Sequence, residues 1–169
     1  EEMIFADETV GGCVPKNFIP SVEKGLRNCV GKGVLAGYPV VFLKATLYFG
    51  SYHPVDSSDM AFQTAAGIAY KEGLPTAGPT LLEPIGELKV LIPDANMGDV
   101  IGDLNKRRGR VMGMNPDPEN PGYQTVEAEV PMGEMSSYTI DLRAMSQGRG
   151  SYTLKFIRYE EVPQMNQAK

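Results

Sequence analysis

The sequence predicts an α+β protein of two small domains, and three observations carry that prediction. Apolar residues recur with a helical period in some stretches and as short β-branched runs in others, so both element types alternate along the chain. Glycine and proline clusters punctuate the alternation at residues 11–15, 31–33, 50–56, 73–75 and 116–122. In the second half, Pro93, Met97, Asp103 and Leu104 recur at one constant spacing as Pro131, Met135, Asp141 and Leu142. The chain divides near Glu83-Pro84, giving a first domain at 1–83, a second at 84–158 and the start of a C-terminal segment at 159–169.

In the first domain, Pro15 stands ahead of a helix whose opening turn tolerates Pro20. Phe18, Ile19, Val22, Leu26, Cys29 and Val30 share one face at helical spacing, and the helix should stop within 31–33. Residues 40–49, rich in β-branched and aromatic side chains, read as one long strand, and 50–56 as the loop that breaks it. Asp56, Ser57, Ser58 and Asp59 supply N-cap and first-turn acceptors for the next helix. Its expected apolar face is Phe62, Ala65, Ala66 and Ala69, and Gly73 and Pro75 end it.

The second domain is a concealed duplication. Strand-like residues 88–92 and 110–114 bracket the first copy; 125–130 and 151–159 bracket the second. Met97, Val100, Ile101 and Leu104 form the apolar face of one helix, and Met135, Tyr138, Leu142 and Met145 that of the other. Gly109-Arg110 and Gly148-Arg149 follow the two blocks, the second pair shifted by one residue. Two βαβ units in series give βαββαβ, the ferredoxin-like arrangement of two helices on one face of an antiparallel sheet. Pro116, Pro118 and Pro121 suit an exposed connection between the middle strands.

Composition narrows the function classes. Of 169 residues, 42% are hydrophobic and 22% charged, as in ordinary globular proteins. No apolar run approaches the roughly 18–20 residues of a membrane span, and no charged-then-apolar leader opens the chain. Neither membrane insertion nor secretion is expected, and the opening Glu-Glu-Met-Ile-Phe reads as the middle of a fold. Cys13 and Cys29 are too few and too separated for a zinc site or a disulfide framework. Cys29, on the apolar helix face, is expected as a buried free thiol, in keeping with a reducing, cytoplasmic setting. A net charge of −5 argues against a general nucleic-acid coat protein. It leaves room for a local basic patch, and Lys106-Arg107-Arg108-Gly109-Arg110 is one. The run suits a solvated helix end as well as a phosphate contact.

Motifs that resemble catalytic signatures fail on spacing. Gly31-Lys32 lacks the phosphate-loop pattern because Gly25 is one residue too distant and Gly33 stands where Ser or Thr must hold Mg²⁺. Gly31, Gly33 and Gly37 miss the dinucleotide fingerprint by one residue and precede a strand. His53, Asp56, Ser57 and Ser58 hold every member of a serine-hydrolase triad, but in one loop, where three side chains rarely converge on an imidazole. His53 is also the single histidine, which removes His-rich metal sites. No catalytic residue and no metal ligand is expected.

Several segments resemble the last two domains of elongation factor G. The most specific is Leu35-Ala-Gly-Tyr-Pro-Val-Val41, followed by Leu47-Tyr-Phe-Gly-Ser-Tyr-His53, Val55-Asp-Ser-Ser58, Met60-Ala-Phe62 and Leu81-Leu-Glu-Pro-Ile85. The second half adds Met97-Gly-Asp-Val-Ile-Gly-Asp-Leu104, Arg107-Arg-Gly109 and Ala128-Glu-Val-Pro131. Met135, Asp141-Leu-Arg143, Gly148-Arg149 and Ser151-Tyr152 continue it. The order is consistent from about Gly11 to Tyr159. Departures at Pro54, where an aspartate is common, and at Ser136-Ser137, where an aromatic-glycine pair is common, hint at a paralogue.

The resemblance implies that 1–83 is most of the family's fourth domain, a βαβ-type unit with a left-handed crossover, incomplete at its start. Its first strand and one tip loop would lie upstream of Glu1. Residues 84–158 would be the fifth domain, and 163–169 would begin a segment returning to the fourth. The loop at 50–58 would be the tip that enters the decoding-side A site, with Ser51, Tyr52, His53, Asp56, Ser57 and Ser58 as candidate contacts to tRNA, mRNA and rRNA. His53 can stack and donate hydrogen bonds, Ser57 and Ser58 can address phosphate or ribose, and Asp56 suits bracing the loop or capping the helix. Lys106, Arg107, Arg108 and Arg110 would be candidate rRNA phosphate contacts.

The implied function is the ribosome-engaging, non-catalytic end of a translocation GTPase. GTP and Mg²⁺ belong to the parent protein, the fragment needs no cofactor, and it is expected to be monomeric. Two rivals are a tetracycline-resistance type ribosomal protection protein and a ferredoxin-like regulatory module binding a small ligand. His53 with Val55-Asp-Ser-Ser58 disfavours the first.

Overall fold

Parallel pairing, not a long strand, organises the first half. In the computed structural model, which describes residues 3–167, β1 (Ile4–Asp7) runs parallel to β2 (Lys44–Leu47), in register from Ile4↔Lys44 to Asp7↔Leu47. The parts of the sequence expectations that fall on Glu1, Glu2, Ala168 and Lys169 lie outside the described residues. The sequence reading missed β1, because a four-residue strand is too short to establish a period.

The strand expected over 40–49 shrinks to Lys44–Leu47 for a geometric reason. Phe42 has a left-handed backbone (φ 57°), which interrupts an extended run. Ahead of it, the amides of Gly33 and Val40 donate to the carbonyls of Tyr38 and Val30 (2.8 and 2.7 Å). Those bonds fold 33–40 back onto the end of the first helix, and only 44–47 pair with β1.

Between the strands lies α1 (Ile19–Cys29), entered through a 3-10 turn (Lys16–Phe18), with Pro20 inside its first turn. After β2 comes α2 (Asp59–Gly73), and a second 3-10 turn (Leu74–Ala77) carries Pro75. Val14, Val22, Phe62 and Ala66 form the small core, with Phe5, Phe18, Ile19, Leu26 and Leu47 packed around it. Ala65 and Ala69, expected to face inward, are exposed, and Tyr70 is buried instead. The buried positions of α2 thus step by four along the helix, a narrower stripe than composition suggested. Cys29 is free but only half-buried, against Gly67 of α2 (3.5 Å to an ideal Cβ).

The helices touch backbone to backbone at Gly25. A Cβ built there would lie 2.5 Å from the Gln63 carbonyl oxygen. Nearby, the buried Ser21 hydroxyl donates to Asp59 at 2.7 Å, tying α1 to the first turn of α2. A polar group at a helix contact costs stability unless so partnered.

The second unit is the expected βαββαβ. Its elements are β3 (Leu82–Pro93), α3 (Met97–Lys106), β4 (Arg110–Pro116), β5 (Tyr123–Pro131), α4 (Tyr138–Ser146) and β6 (Ser151–Glu161). The strands form one antiparallel sheet in the order β4-β5-β3-β6, so the first strand of each copy is central and the last is at an edge. One turn of helix, α5 (Gln164–Gln167), follows. The first compact unit ends at Thr80 and the second starts at Leu81, because Leu82 and Glu83 already pair with Glu161 and Glu160.

Alternation along the central strands sends Leu88, Val90 and Ile92, and Val126, Ala128 and Val130, to the helix face, where none is more than 1% exposed. Val100 and Leu104 of α3 and Tyr138 and Leu142 of α4 cover them. Each buried valine, leucine or isoleucine among them contributes about 1.5–3 kcal/mol by leaving water. The duplication survives in detail. Pro93 and Pro131 both close a strand and open a 3-10 turn, and each helix ends on a left-handed residue, Arg108 (φ 61°) or Gln147 (φ 54°). The amides of Gly109 and Gly148 then return to the carbonyls of Leu104 and Arg143 (2.8 and 2.9 Å).

Candidate functional site

The loop at 50–58 leaves the carboxyl end of β2 and delivers the chain to α2. Two contacts fix its base. Gly50 lies so close to buried Val14 that a Cβ would meet a Val14 methyl at 2.4 Å. The Tyr52 ring packs on Phe18 (5.8 Å between centroids), which in turn stacks on Phe62 in the core (4.8 Å).

Beyond that base the chain closes on itself. The His53 amide donates to the Ser57 hydroxyl oxygen at 2.9 Å, and the Ser57 amide donates to the His53 carbonyl at 2.9 Å. Ser57 is half-buried, whereas Ser51, Tyr52, His53, Asp56 and Ser58 are exposed. Ser58 is the N-cap of α2, accepting from the Ala61 amide at 3.1 Å, so that role falls to Ser58 and not to Asp56. Each serine oxygen accepts from an amide, and a hydroxyl that accepts still carries a proton it can donate, at exposed Ser58 towards solvent. Val55 at the apex is 92% exposed.

The sequence reading left out the aromatic approach to this loop. Tyr48 and Phe49 are 75% and 69% exposed, and with Tyr52 and His53 they present flat rings at the same end of the unit. Such rings can stack on unpaired bases without reading sequence. The strand expected over 40–49 would take in Tyr48 and Phe49, but β2 ends at Leu47 and leaves both in the approach to the loop.

The basic run divides sharply. Arg107 is 11% exposed and donates to Asp103 (2.7 Å), to Asp141, and to the Glu134 carbonyl (2.7 Å), with its guanidinium over the Tyr138 ring (5.1 Å). Burial disfavours its charge, but the two aspartates outweigh that and hold it more firmly protonated than usual. Arg108 makes a two-pronged pair with Glu83 (2.9 and 2.7 Å). Arg110 meets Glu129 (3.0 Å) and Glu160 (2.9 Å), which are shared with Arg158. Lys106 is exposed at the end of α3 beside an open groove of about 470 Å³ between α3 and α4, where its neighbours include Asp99, Asp103 and Asp141. Thus the structure brings three of the four cations to carboxylates and leaves Lys106 at the surface.

Among the described residues no cluster of three or more His, Cys, Asp or Glu could hold a metal ion, and no helix is long and apolar enough to cross a membrane.

Comparison with known proteins divides the chain at the same place. Residues 1–78 match the family described as elongation factor G, domain IV, and residues 80–169 the one described as elongation factor G C-terminus. A crystal structure of a protein from Thermus thermophilus is similar over 99% of this chain, at 45% identity and a TM-score of 0.86. The chain spans 25% of that protein's length.

Proposed function

The chain belongs to the elongation factor G family, of which it carries domain IV and the C-terminal domain, and on that premise we propose that it is the ribosome-engaging, non-catalytic end of a translational GTPase. The observation that carries this reading is the loop at 50–58. It is exposed, closed by the His53–Ser57 pair, and seated on the packed side chains Val14, Phe18 and Phe62. A protruding element that must displace RNA has to resist being bent, and a loop so anchored does.

In this reading the loop enters the decoding-side A site and separates tRNA and mRNA from the surrounding rRNA during translocation. His53 and the rings around it stack on bases, and the exposed Ser58 hydroxyl can donate to phosphate or ribose. The C-terminal domain meets rRNA by charge, with Lys106 as the most available cation of the 106–110 run. GTP and Mg²⁺ are handled by the G domain of the parent protein, and the chain acts as a monomer on the ribosome in the cytoplasm.

Two measurements test it. The 169-residue chain should co-sediment with ribosomes, more weakly as salt rises. In the factor that carries this chain, His53→Ala should slow single-turnover translocation. Indifference to ribosomes, or an unchanged rate in the His53 variant, contradicts the proposal.

A further inference from the structure

We infer that Ser57 is a positioning residue for His53, acting through backbone bonds and not by touching RNA itself; the inference rests on the reading of this loop as the RNA-facing tip and reassigns the Ser57 hydroxyl from RNA donor to internal brace. Four observations support it. Ser57 engages both backbone groups of His53, its hydroxyl oxygen taking the His53 amide proton and its own amide reaching the His53 carbonyl, each at 2.9 Å. Residues 51–56 and Ser58 are exposed, whereas Ser57 is half-buried. Its neighbour Ser58 faces the other way, capping α2 through Ala61 at 3.1 Å. The two adjacent hydroxyls therefore divide the work, one holding the turn and the other holding the helix the turn leads into. The third member of the scaffold is Gly50, whose missing side chain lets the outgoing chain lie against Val14.

The consequence is a fixed φ at His53. An amide and a carbonyl both tied to the residue four positions on cannot rotate freely, so the Cα–Cβ direction from which the ring extends is set before RNA is met. Without the hydroxyl oxygen the His53 amide turns to water, and the ring samples a wider cone. The cost then falls on how often His53 is presented correctly, not on the contacts it makes once in place.

The experiment uses the intact factor carrying Ser57→Ala, Ser57→Thr, His53→Ala and the double variant His53→Ala/Ser57→Ala, read by single-turnover translocation. Ser57→Ala should slow it about fivefold, the worth of one net hydrogen bond. Ser57→Thr, which keeps the hydroxyl, should restore most of the rate, and the double variant should be no slower than His53→Ala alone. In the 169-residue chain, hydrogen exchange at the His53 amide should quicken in Ser57→Ala. Additive losses in the double variant would assign Ser57 its own RNA contact and overturn the inference, as would unchanged exchange at His53. If His53→Ala is slow while Ser57→Ala matches the parent, the inference fails and the tip reading stands. If His53→Ala itself is silent, the tip reading fails first.

Discussion

Asp103 and Asp141 occupy the same position in the two copies of the second unit's duplication, and both accept from one guanidinium, that of Arg107. Asp103 is on α3 and Asp141 on α4, so a single arginine joins the two helices that cover the sheet. The arginine has no counterpart at the matching place in the second copy, where Met145 and Ser146 stand. Ser146 is fully buried and serves its own end of the fold, donating to Leu142 and accepting from the Gly150 amide. The pseudosymmetric pair is thus held by one asymmetric residue.

Removing that residue should cost stability before it costs binding. Arg107→Ala leaves two carboxylates facing each other across the helix pair, and should destabilise the second unit by about 2–3 kcal/mol, below the full figure for a buried pair because Asp141 is 42% exposed. Arg107→Lys should recover little, since a single ammonium cannot match the fork. Urea unfolding followed at Tyr138 and Tyr152 measures this. A normal midpoint combined with weak ribosome binding would mean that Arg107 is an RNA contact after all.

The basic run should separate by salt dependence. Lys106→Ala should reduce the slope of log affinity for ribosomes against log salt by about 0.7–0.9, the contribution of one phosphate contact. The same measurement on Arg108→Ala should show a smaller change, because that guanidinium already meets Glu83 through two bonds. Equal slopes for the two variants would show that the internal pair opens on binding.

Two glycine-to-alanine changes should have opposite signs. Gly25→Ala gains helix propensity worth about 1 kcal/mol, but its Cβ would sit 2.5 Å from the Gln63 carbonyl oxygen and 2.8 Å from its Cα. Backbone cannot rotate aside, and overpacking of this kind costs about 1–3 kcal/mol, so the net effect should be a loss. Gly102→Ala on α3 meets nothing within 4 Å and should stabilise by about 0.5–1 kcal/mol. Thermal unfolding of the two variants decides; a stable Gly25→Ala would mean that α1 and α2 can separate.

Acid should loosen the second unit. Hydrogen bonds from Ser137 and then from Arg107 hold the Asp141 carboxyl below its usual range. Arg158 does the same for Glu129, and Arg158 with Arg110 for Glu160. A depressed folded-state value means that the unfolded chain takes up protons first. The stability these groups contribute is therefore full above the ordinary carboxylate range of about 4 and is lost as pH falls through the depressed values. The urea midpoint should be level from about pH 6 to 5 and fall below about pH 4, and Asp141→Asn should start lower and fall less. A midpoint that rises on acidification would contradict the assignment.

What the sequence determined by itself was whatever repeats or has a period. The βαββαβ order, the faces of α3 and α4, and the recurrence of Pro93, Asp103 and Leu104 were all legible because each is a local pattern set by helix or strand geometry. The family resemblance pointed to His53 and its loop on the same local footing. Tertiary structure alone decided where β2 ends, since that depends on the left-handed backbone of Phe42 and on the bonds that pull 33–40 towards α1. It also decided the fate of the basic run. Charge on a residue is written in the sequence, but its partner is chosen by folding, and Glu83, Glu134 and Asp141 reach Arg107 and Arg108 across 25 or more positions of chain. Such distant pairings leave no period behind, and so could not be read before the fold was seen.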